Sequence, residues 1–292
     1  MKRKDGIFVD DYQEPDAKRR IIVALDVDSV DKAIDLVKQL SAHVGYFKIG
    51  FQLIYAMLAS IITAKSGSKA ADNAMKIRFL FQLIEGKAFI DAKLHDIPNT
   101  VAGASKEIGK IGAKMFNLHC QGGKEMMVAA KKAAEAMPAG TGRTPVSIFG
   151  VTLLTSLNYD DLVELGIFPS LGIKDDEELK RVQKNYLNRY ISNLAILAGE
   201  SGLDGVIASP QEIEIIRRNC GNDIIIVTPG VRPSWAAKGD QKRVMTPKEA
   251  ILKGADMVVV GRPITDPPPE IGTPRDAAIL IAEEIEMALQ EK

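Results

Sequence analysis

Short apolar runs rich in β-branched residues recur along this chain, separated by longer segments whose apolar positions fall at helical spacing. Eight runs stand out: Ile21 to Leu25, Val44 to Ile49, Ala88 to Lys93, Lys114 to Leu118, Val146 to Leu153, Gly205 to Ala208, Ile224 to Val227 and Met257 to Val260. Most are near-continuous rather than alternating, as expected of parallel strands buried on both faces. Between them, segments such as Val30 to Leu40 and Gly122 to Ala136 are dominated by alanine, lysine, glutamate and leucine, which favour amphipathic helix. Helix starts keep the same phase. Ser209 to Glu212 (SPQE) and Thr246 to Glu249 (TPKE) each offer a capping oxygen, a proline in the first turn and a glutamate three residues on. Thr273 and Pro274 open the last helix in the same way.

Eight β-α units in roughly 270 residues, about 34 each, predict a (β/α)8 TIM barrel. A doubly wound sheet offers no reason for eight units. The expected organisation is an N-terminal extension over residues 1–19 and a single catalytic barrel domain over 20–292. Two connections exceed what one helix needs. Phe51 to Gly86, which includes the Ser-Gly-rich piece Lys65 to Ala71, predicts an inserted helix or helical hairpin, and Gly166 to Arg181 a second surface insertion. The extension is expected either as an arm or packed across the barrel's bottom.

Composition narrows the function classes. With 292 residues, 46% of them hydrophobic and 26% charged, the chain is neither disordered nor fibrous. Lysine plus arginine and aspartate plus glutamate each total 38, so no global basic field draws in nucleic acid or an anionic membrane. Neither is expected as a partner, and any anion recognition has to be local. Cys120 and Cys220 match neither a disulfide framework nor a zinc spacing. The charged first twenty residues lack a signal-peptide core, and no apolar run approaches the roughly 18 residues of a membrane span. A cytoplasmic protein is the expectation.

In a TIM barrel the reactive groups gather at the carboxyl ends of the strands. Strand one ends at Asp26, strand two at Lys48 and strand three at Asp91 and Lys93, with Asp96 just beyond. Residues two apart on a strand point the same way, so Asp91 and Lys93 are expected to face the barrel axis, and Ala92 and Leu94 the outer helices. Charges there carry a high desolvation cost unless paired, so alternating aspartate and lysine predict one shared network. The direction of Asp96 is left open. Across the barrel, strand seven runs into Thr228 to Pro233 (TPGVRP) and strand eight into Gly261, Arg262 and Pro263. Glycine admits an anion close to backbone amides and arginine supplies a forked donor. With loops seven and eight commonly holding phosphate in such barrels, a phosphorylated ligand is expected.

The segment Phe89 to Val101 (FIDAKLHDIPNTV) resembles the signature of the orotidine 5'-phosphate decarboxylase family. The resemblance runs from about Ile21 to the last helix. In family order it takes in Ala24 to Asp26 (ALD), Phe47 to Gly50 (FKIG), Val151 to Ser156 (VTLLTS), Thr228 to Arg232 (TPGVR), Gly239 to Gln241 (GDQ) and Val260 to Pro263 (VGRP). It implies decarboxylation of orotidine 5'-phosphate to uridine monophosphate and carbon dioxide in pyrimidine synthesis, without metal or cofactor. It further implies that Asp26 and Lys48 hold the ribose hydroxyls, that Lys93 delivers a proton to pyrimidine C6, and that Asp91 lies beside the substrate carboxylate. Thr155 matches a hydroxyl that contacts the base, Gln241 an amide bridging base and phosphate, and Arg232, Gly261 and Arg262 the phosphate end. Asp96 and Thr100 match residues that reach into the partner's site of a homodimer.

An ammonium held at the reacting carbon can stabilise the developing charge and then protonate it. Two alternatives stand beside this reading. A magnesium-dependent sugar-phosphate lyase of the same barrel group would place an acidic residue at the end of strand two, where this chain has Lys48. A non-catalytic nucleotide-phosphate-binding barrel would bind uridine monophosphate without turnover.

Overall fold

The computed structural model describes residues 16–136, 146–236 and 245–292. Eight parallel strands close into a barrel in sequence order: β1 (Ile21–Ala24), β2 (Tyr46–Ile49), β3 (Ala88–Leu94), β4 (Met115–His119), β5 (Ser147–Val151), β6 (Gly205–Ile207), β7 (Ile225–Thr228) and β8 (Met257–Val260). β8 pairs with β1, Val260 opposite Val23, so no edge is left open. Helices fill the crossovers. They are α1 (Val30–Leu40), α2 (Phe51–Ile62), α3 (Gly67–Leu83), α4 (Pro98–Ile111), α5 (Gly123–Glu135), α6 (Tyr159–Glu164), α7 (Asp176–Glu200), α8 (Ile213–Cys220), α9 (Pro247–Leu252), α10 (Arg262–Thr265) and α11 (Pro274–Gln290). No helix among the described residues is long and apolar enough to cross a membrane.

The period-two alternation of the strands makes two cores. Ile22, Tyr46, Phe89, Met115, Phe149 and Met257 fill the barrel's inside, whereas Val23, Phe47, Ile90, Phe116 and Ile148 pack outward under the helices. Above the inner apolar layer the same alternation puts Lys48, Asp91 and Asn117 two residues on from Tyr46, Phe89 and Met115. The inner wall thus turns from apolar to polar toward its carboxyl ends.

Caps explain where several helices begin. Thr246 and Glu249 form a reciprocal capping box at α9, and Thr273 and Asp276 another at α11. At Ser209 the expected box is displaced. Glu212 does reach back to the Ser209 N–H at 3.1 Å, but residues 210–212 form a turn and α8 starts at Ile213. The long second connection is the expected hairpin, α2 with α3, and much of its Ser-Gly-rich piece is helical, capped by Ser66 on the Lys69 N–H. Residues 166–181 lead into the 25-residue α7, which packs Tyr186 and Tyr190 against Phe168.

The barrel's bottom is pinned by aspartates just ahead of two strands. Asp204 accepts from the Ile148 N–H at 2.9 Å and pairs with Lys131, and Asp256 accepts from the Ile226 N–H at 2.7 Å and pairs with Arg217. Residues 1–15 of the expected extension lie outside the described residues. Its end, the tight turn Ala17–Arg20, lies across this bottom, with the Arg20 guanidinium donating to the Asp256 carbonyl at 3.1 Å.

Gly205 shows how tightly the lower barrel is filled, since a Cβ there would lie 2.4 Å from the Ile225 carbonyl and 2.6 Å from the Phe149 ring. Gly205→Ala should therefore lower stability by about 2 kcal/mol or more through overpacking, read as a lower urea midpoint. An unchanged midpoint would mean that β6 and β7 can part without cost.

Candidate active site

The polar rim surrounds a cavity of about 480 Å³, lined by residues from the ends of all eight strands and the loops after them. On one wall Asp26, Lys48, Asp91 and Lys93 form a continuous chain of alternating charge. The Lys48 Nζ lies 3.1 Å from Asp26 Oδ1 and 3.0 Å from Asp91 Oδ2, and the Lys93 Nζ lies 2.6 Å from Asp91 Oδ1. The register explains the convergence: Lys48 pairs with Ala24 on one side and Phe89 on the other, so Asp26 and Asp91, each two residues further on, flank its ammonium.

Burial and charge compete in this chain, and charge wins. Desolvation alone would lower the Lys48 pKa, yet Asp91 and Asp26 together raise it above the usual lysine value. Desolvation alone would raise that of Asp91, but Lys48 and Lys93, with hydrogen bonds from Lys93 and Asn117, hold it below the ordinary carboxylate range. Both groups keep their charges because each is matched on two sides. Gly50 leaves the room for this. Its backbone (φ −95°, ψ −179°) suits any residue, but a Cβ would lie 3.0 Å from both the Asp26 carboxylate and the Lys48 ammonium.

Strand β3 is irregular where it carries these groups. Ile90 pairs with Phe116 and Leu94 with Leu118, so β3 takes four residues to cover what β4 covers in two. Within the bulge Lys93 has φ 41°, a left-handed conformation that L-residues rarely adopt. Ala92 and Leu94 pack against the outer core as expected. Asn117, which sequence reasoning passed over, lies at the centre of this region: its amide donates to Asp91 Oδ1 at 2.7 Å and its oxygen accepts from the Lys93 N–H at 2.7 Å. Its signal was a lone amide inside an apolar strand at the period-two position after Met115. Gln52, in the first turn of α2, also lines the cavity and was not singled out.

Thr155 after β5, Arg232 after β7, and Gly261 and Arg262 after β8 also line the cavity, the last two beside β1. Arg232 is buried and Arg262 exposed. Asp96 and Thr100 are placed differently. Both are exposed at the start of α4, outside the cavity lining, and the Asp96 carboxylate accepts from the Ile97 N–H at 2.7 Å. Gln241, Gly239 and most of the loop from Arg232 to Thr246 lie outside the described residues. His119, at the end of β4, has its ring 5.4 Å from that of His95, and burial, with His95 and Lys93 nearby, lowers its pKa. Cys120 is buried, which pushes its thiol pKa up to about 12, the behaviour of a packed side chain rather than a nucleophile.

The model of the family described as "Orotidine 5'-phosphate decarboxylase / HUMPS family" matches residues 19–272. The chain belongs to this family. It is 42% identical over 276 residues to the orotidine 5'-phosphate decarboxylase of Geotalea daltonii, covering 92% of this chain and 97% of the relative. To the enzyme of that name from Moorella thermoacetica it is 42% identical over 272 residues, covering 93% and 94%. Among solved structures, the orotidine 5'-phosphate decarboxylase of Lactobacillus acidophilus superposes with a TM-score of 0.67 at 31% identity, covering 91% of this chain and 99% of that one. The barrel that the strand periodicity builds here is therefore the one this solved relative shares.

The charged wall has a pH signature. A carboxylate with a depressed native pKa stabilises the fold fully above its unfolded value of about 3.9, and that contribution is lost as pH falls through the lower native value. Asp91→Asn leaves Lys48 and Lys93 short of a negative partner, so it should cost about 3 kcal/mol at neutral pH. The gap from wild type should narrow as pH drops below about 4. Urea unfolding across that range checks it, and a gap constant with pH would count against the ion-pair account.

Proposed function

We propose that this chain decarboxylates orotidine 5'-phosphate to uridine monophosphate, with Lys93 as the proton donor to C6. The observation that carries the reading is the pairing of Lys93 Nζ with Asp91 at 2.6 Å on the inner wall, facing a cavity that also holds Arg232 and Arg262. In the proposed reaction the C6–carboxylate bond breaks, carbon dioxide leaves, and its bonding electron pair stays on C6. The Lys93 ammonium, adjacent to that carbon, lowers the energy of the developing charge and then transfers a proton to it. Asp91 would lie beside the departing carboxylate, Asp26 and Lys48 on the ribose hydroxyls, and Thr155 and Gln241 on the base. Arg232, Gly261 and Arg262 would hold the phosphate, whose binding energy can be used to order the groups at the reacting carbon.

The charged wall favours this reading over a magnesium-dependent sugar-phosphate lyase. The place between Asp26 and Asp91 where a divalent cation could bridge two carboxylates is filled by the Lys48 ammonium, within 3.1 Å of both. The ultraviolet absorbance change of orotidine 5'-phosphate in excess EDTA should show turnover by wild type and its near-complete loss in Lys93→Ala. Turnover that appears only on adding magnesium, or survives intact in Lys93→Ala, would reject the proposed mechanism.

The proposed active form is a homodimer in which Asp96 and Thr100 complete the partner's site. Their exposure and their position outside the cavity of their own chain support this. So does the apolar Ile97 next to Asp96, which is 66% exposed. A two-fold interface makes the exchange reciprocal. Mixing inactive Lys93→Ala and Asp96→Ala subunits should restore activity, because each mixed dimer then has one intact site. No recovery despite heterodimer formation would show that the sites are not shared.

A further inference from the structure

Asn117 is buried on the inner face of β4, opposite Phe149 of β5, and both ends of its amide are hydrogen-bonded to groups of β3. The orientation of that amide follows from chemistry, since the Lys93 backbone N–H can only donate and the ionised Asp91 carboxylate can only accept. The side-chain oxygen therefore faces Lys93 and the nitrogen faces Asp91, both at 2.7 Å. The bulge gives this arrangement its meaning. Between Ile90 and Leu94 the ladder to β4 is interrupted, so the Lys93 N–H bonds to a side chain of β4, and Lys93 is the one non-glycine residue among those described with positive φ. Such a conformation persists only where its surroundings over-determine it.

The same amide governs the other end of Lys93. Asp91 Oδ1 accepts from both Asn117 and the Lys93 ammonium, at 2.7 and 2.6 Å, while Oδ2 pairs with Lys48 at 3.0 Å. With both oxygens engaged, the carboxylate has one orientation, and the ammonium follows it. We propose that Asn117 is a positioning residue for the decarboxylation: it latches the left-handed backbone of Lys93 directly and aims the Lys93 ammonium through Asp91. The inference rests on the reading of Lys93 as proton donor. A side chain that merely filled the barrel would be replaced by an isostere without consequence, and that is the distinction to test.

Asn117→Asp keeps the shape and the acceptor for the Lys93 N–H but loses the donor to Asp91 and sets a second negative charge against it. The charged and titratable groups around it are Asp91, Lys93 and, beyond Asp91, Lys48, with His119 further along β4 and His95 against it. In Asn117→Ala, kcat on orotidine 5'-phosphate should fall about 30-fold or more through misplacement of the ammonium, with a smaller change in KM. In Asn117→Asp, kcat should fall further at about pH 8 and recover relative to wild type toward about pH 5, where a protonated carboxyl again donates to Asp91. Thermal unfolding monitors the fold of both, and if the alanine variant does not fold, the pH profile of the near-isosteric aspartate variant decides alone. A kcat within about threefold of wild type in either folded variant, or a loss in Asn117→Asp that is independent of pH, overturns the positioning role. Wild type and Lys93→Ala run in parallel separate the two readings. An inactive wild type, or an unimpaired Lys93→Ala, removes the basis in Lys93, whereas an active wild type that depends on Lys93, with normal Asn117 variants, removes only the role of Asn117.

Discussion

Four charged side chains crowd the mouth of a closed barrel, and the cost of withdrawing Lys48 and Asp91 from water has to be met by the arrangement of all four. Asp26, Lys48, Asp91 and Lys93 alternate in sign along one wall, each contact at 3.1 Å or less, so that the wall as a whole is neutral. Lys48 and Asp91 each have opposite charges on two sides, which is why burial leaves both ionised. Remove any member and its neighbours are left with an unmatched charge. Much of the local backbone can be understood as serving this alternation, down to Gly50, where the need is for space beside the charges and not for an unusual backbone.

The barrel supplies what such a chain requires. Parallel strands in register place inner-face residues from neighbouring strands at matching heights, and each step of two along a strand moves up one layer. Tyr46, Phe89 and Met115 belong to the apolar inside of the barrel, and Lys48, Asp91 and Asn117 are the next inward positions along their own strands. The apolar inside excludes water from below and strengthens the electrostatics above. At the opposite end Asp204 and Asp256 tie neighbouring strands together, so the strands that carry chemistry at their tops are fixed at their bottoms. Strain is concentrated at Lys93, in a bulge whose broken ladder is made good by an amide from the next strand.

The two walls of the cavity differ in kind. One is a network of short ion pairs carried by the ends of β1, β2 and β3, and the other, with Thr155, Arg232 and Arg262, comes from the segments that follow β5, β7 and β8. That division suits a ligand with one reacting end that must be held in fixed geometry and one anionic end whose capture can organise a loop. The surface at the start of α4 stands apart: Asp96, Ile97 and Thr100 lie past the end of β3, exposed and outside the cavity lining.

Spacing along the chain was enough to establish the eight-fold alternation, extra helical structure after β2 and the inward direction of Asp91 and Lys93, because these depend on local periodicity and on desolvation cost. The capping boxes at Thr246 and Thr273 were legible for the same reason, whereas at Ser209 the same pattern closes a turn, Glu212 accepting from the Ser209 N–H, and the helix starts only at Ile213. Asn117 was not legible: an uncharged amide in an apolar strand carries no desolvation signal, and its importance comes from partners 24 and 26 residues away. Nor could period-two reasoning foresee that β3 bulges and turns Lys93 left-handed, since the alternation it relies on is what a bulge interrupts. Which residues face the axis was determined by sequence; how far each charge reaches, and what holds it there, was decided by the register of strands that meet only when the barrel closes.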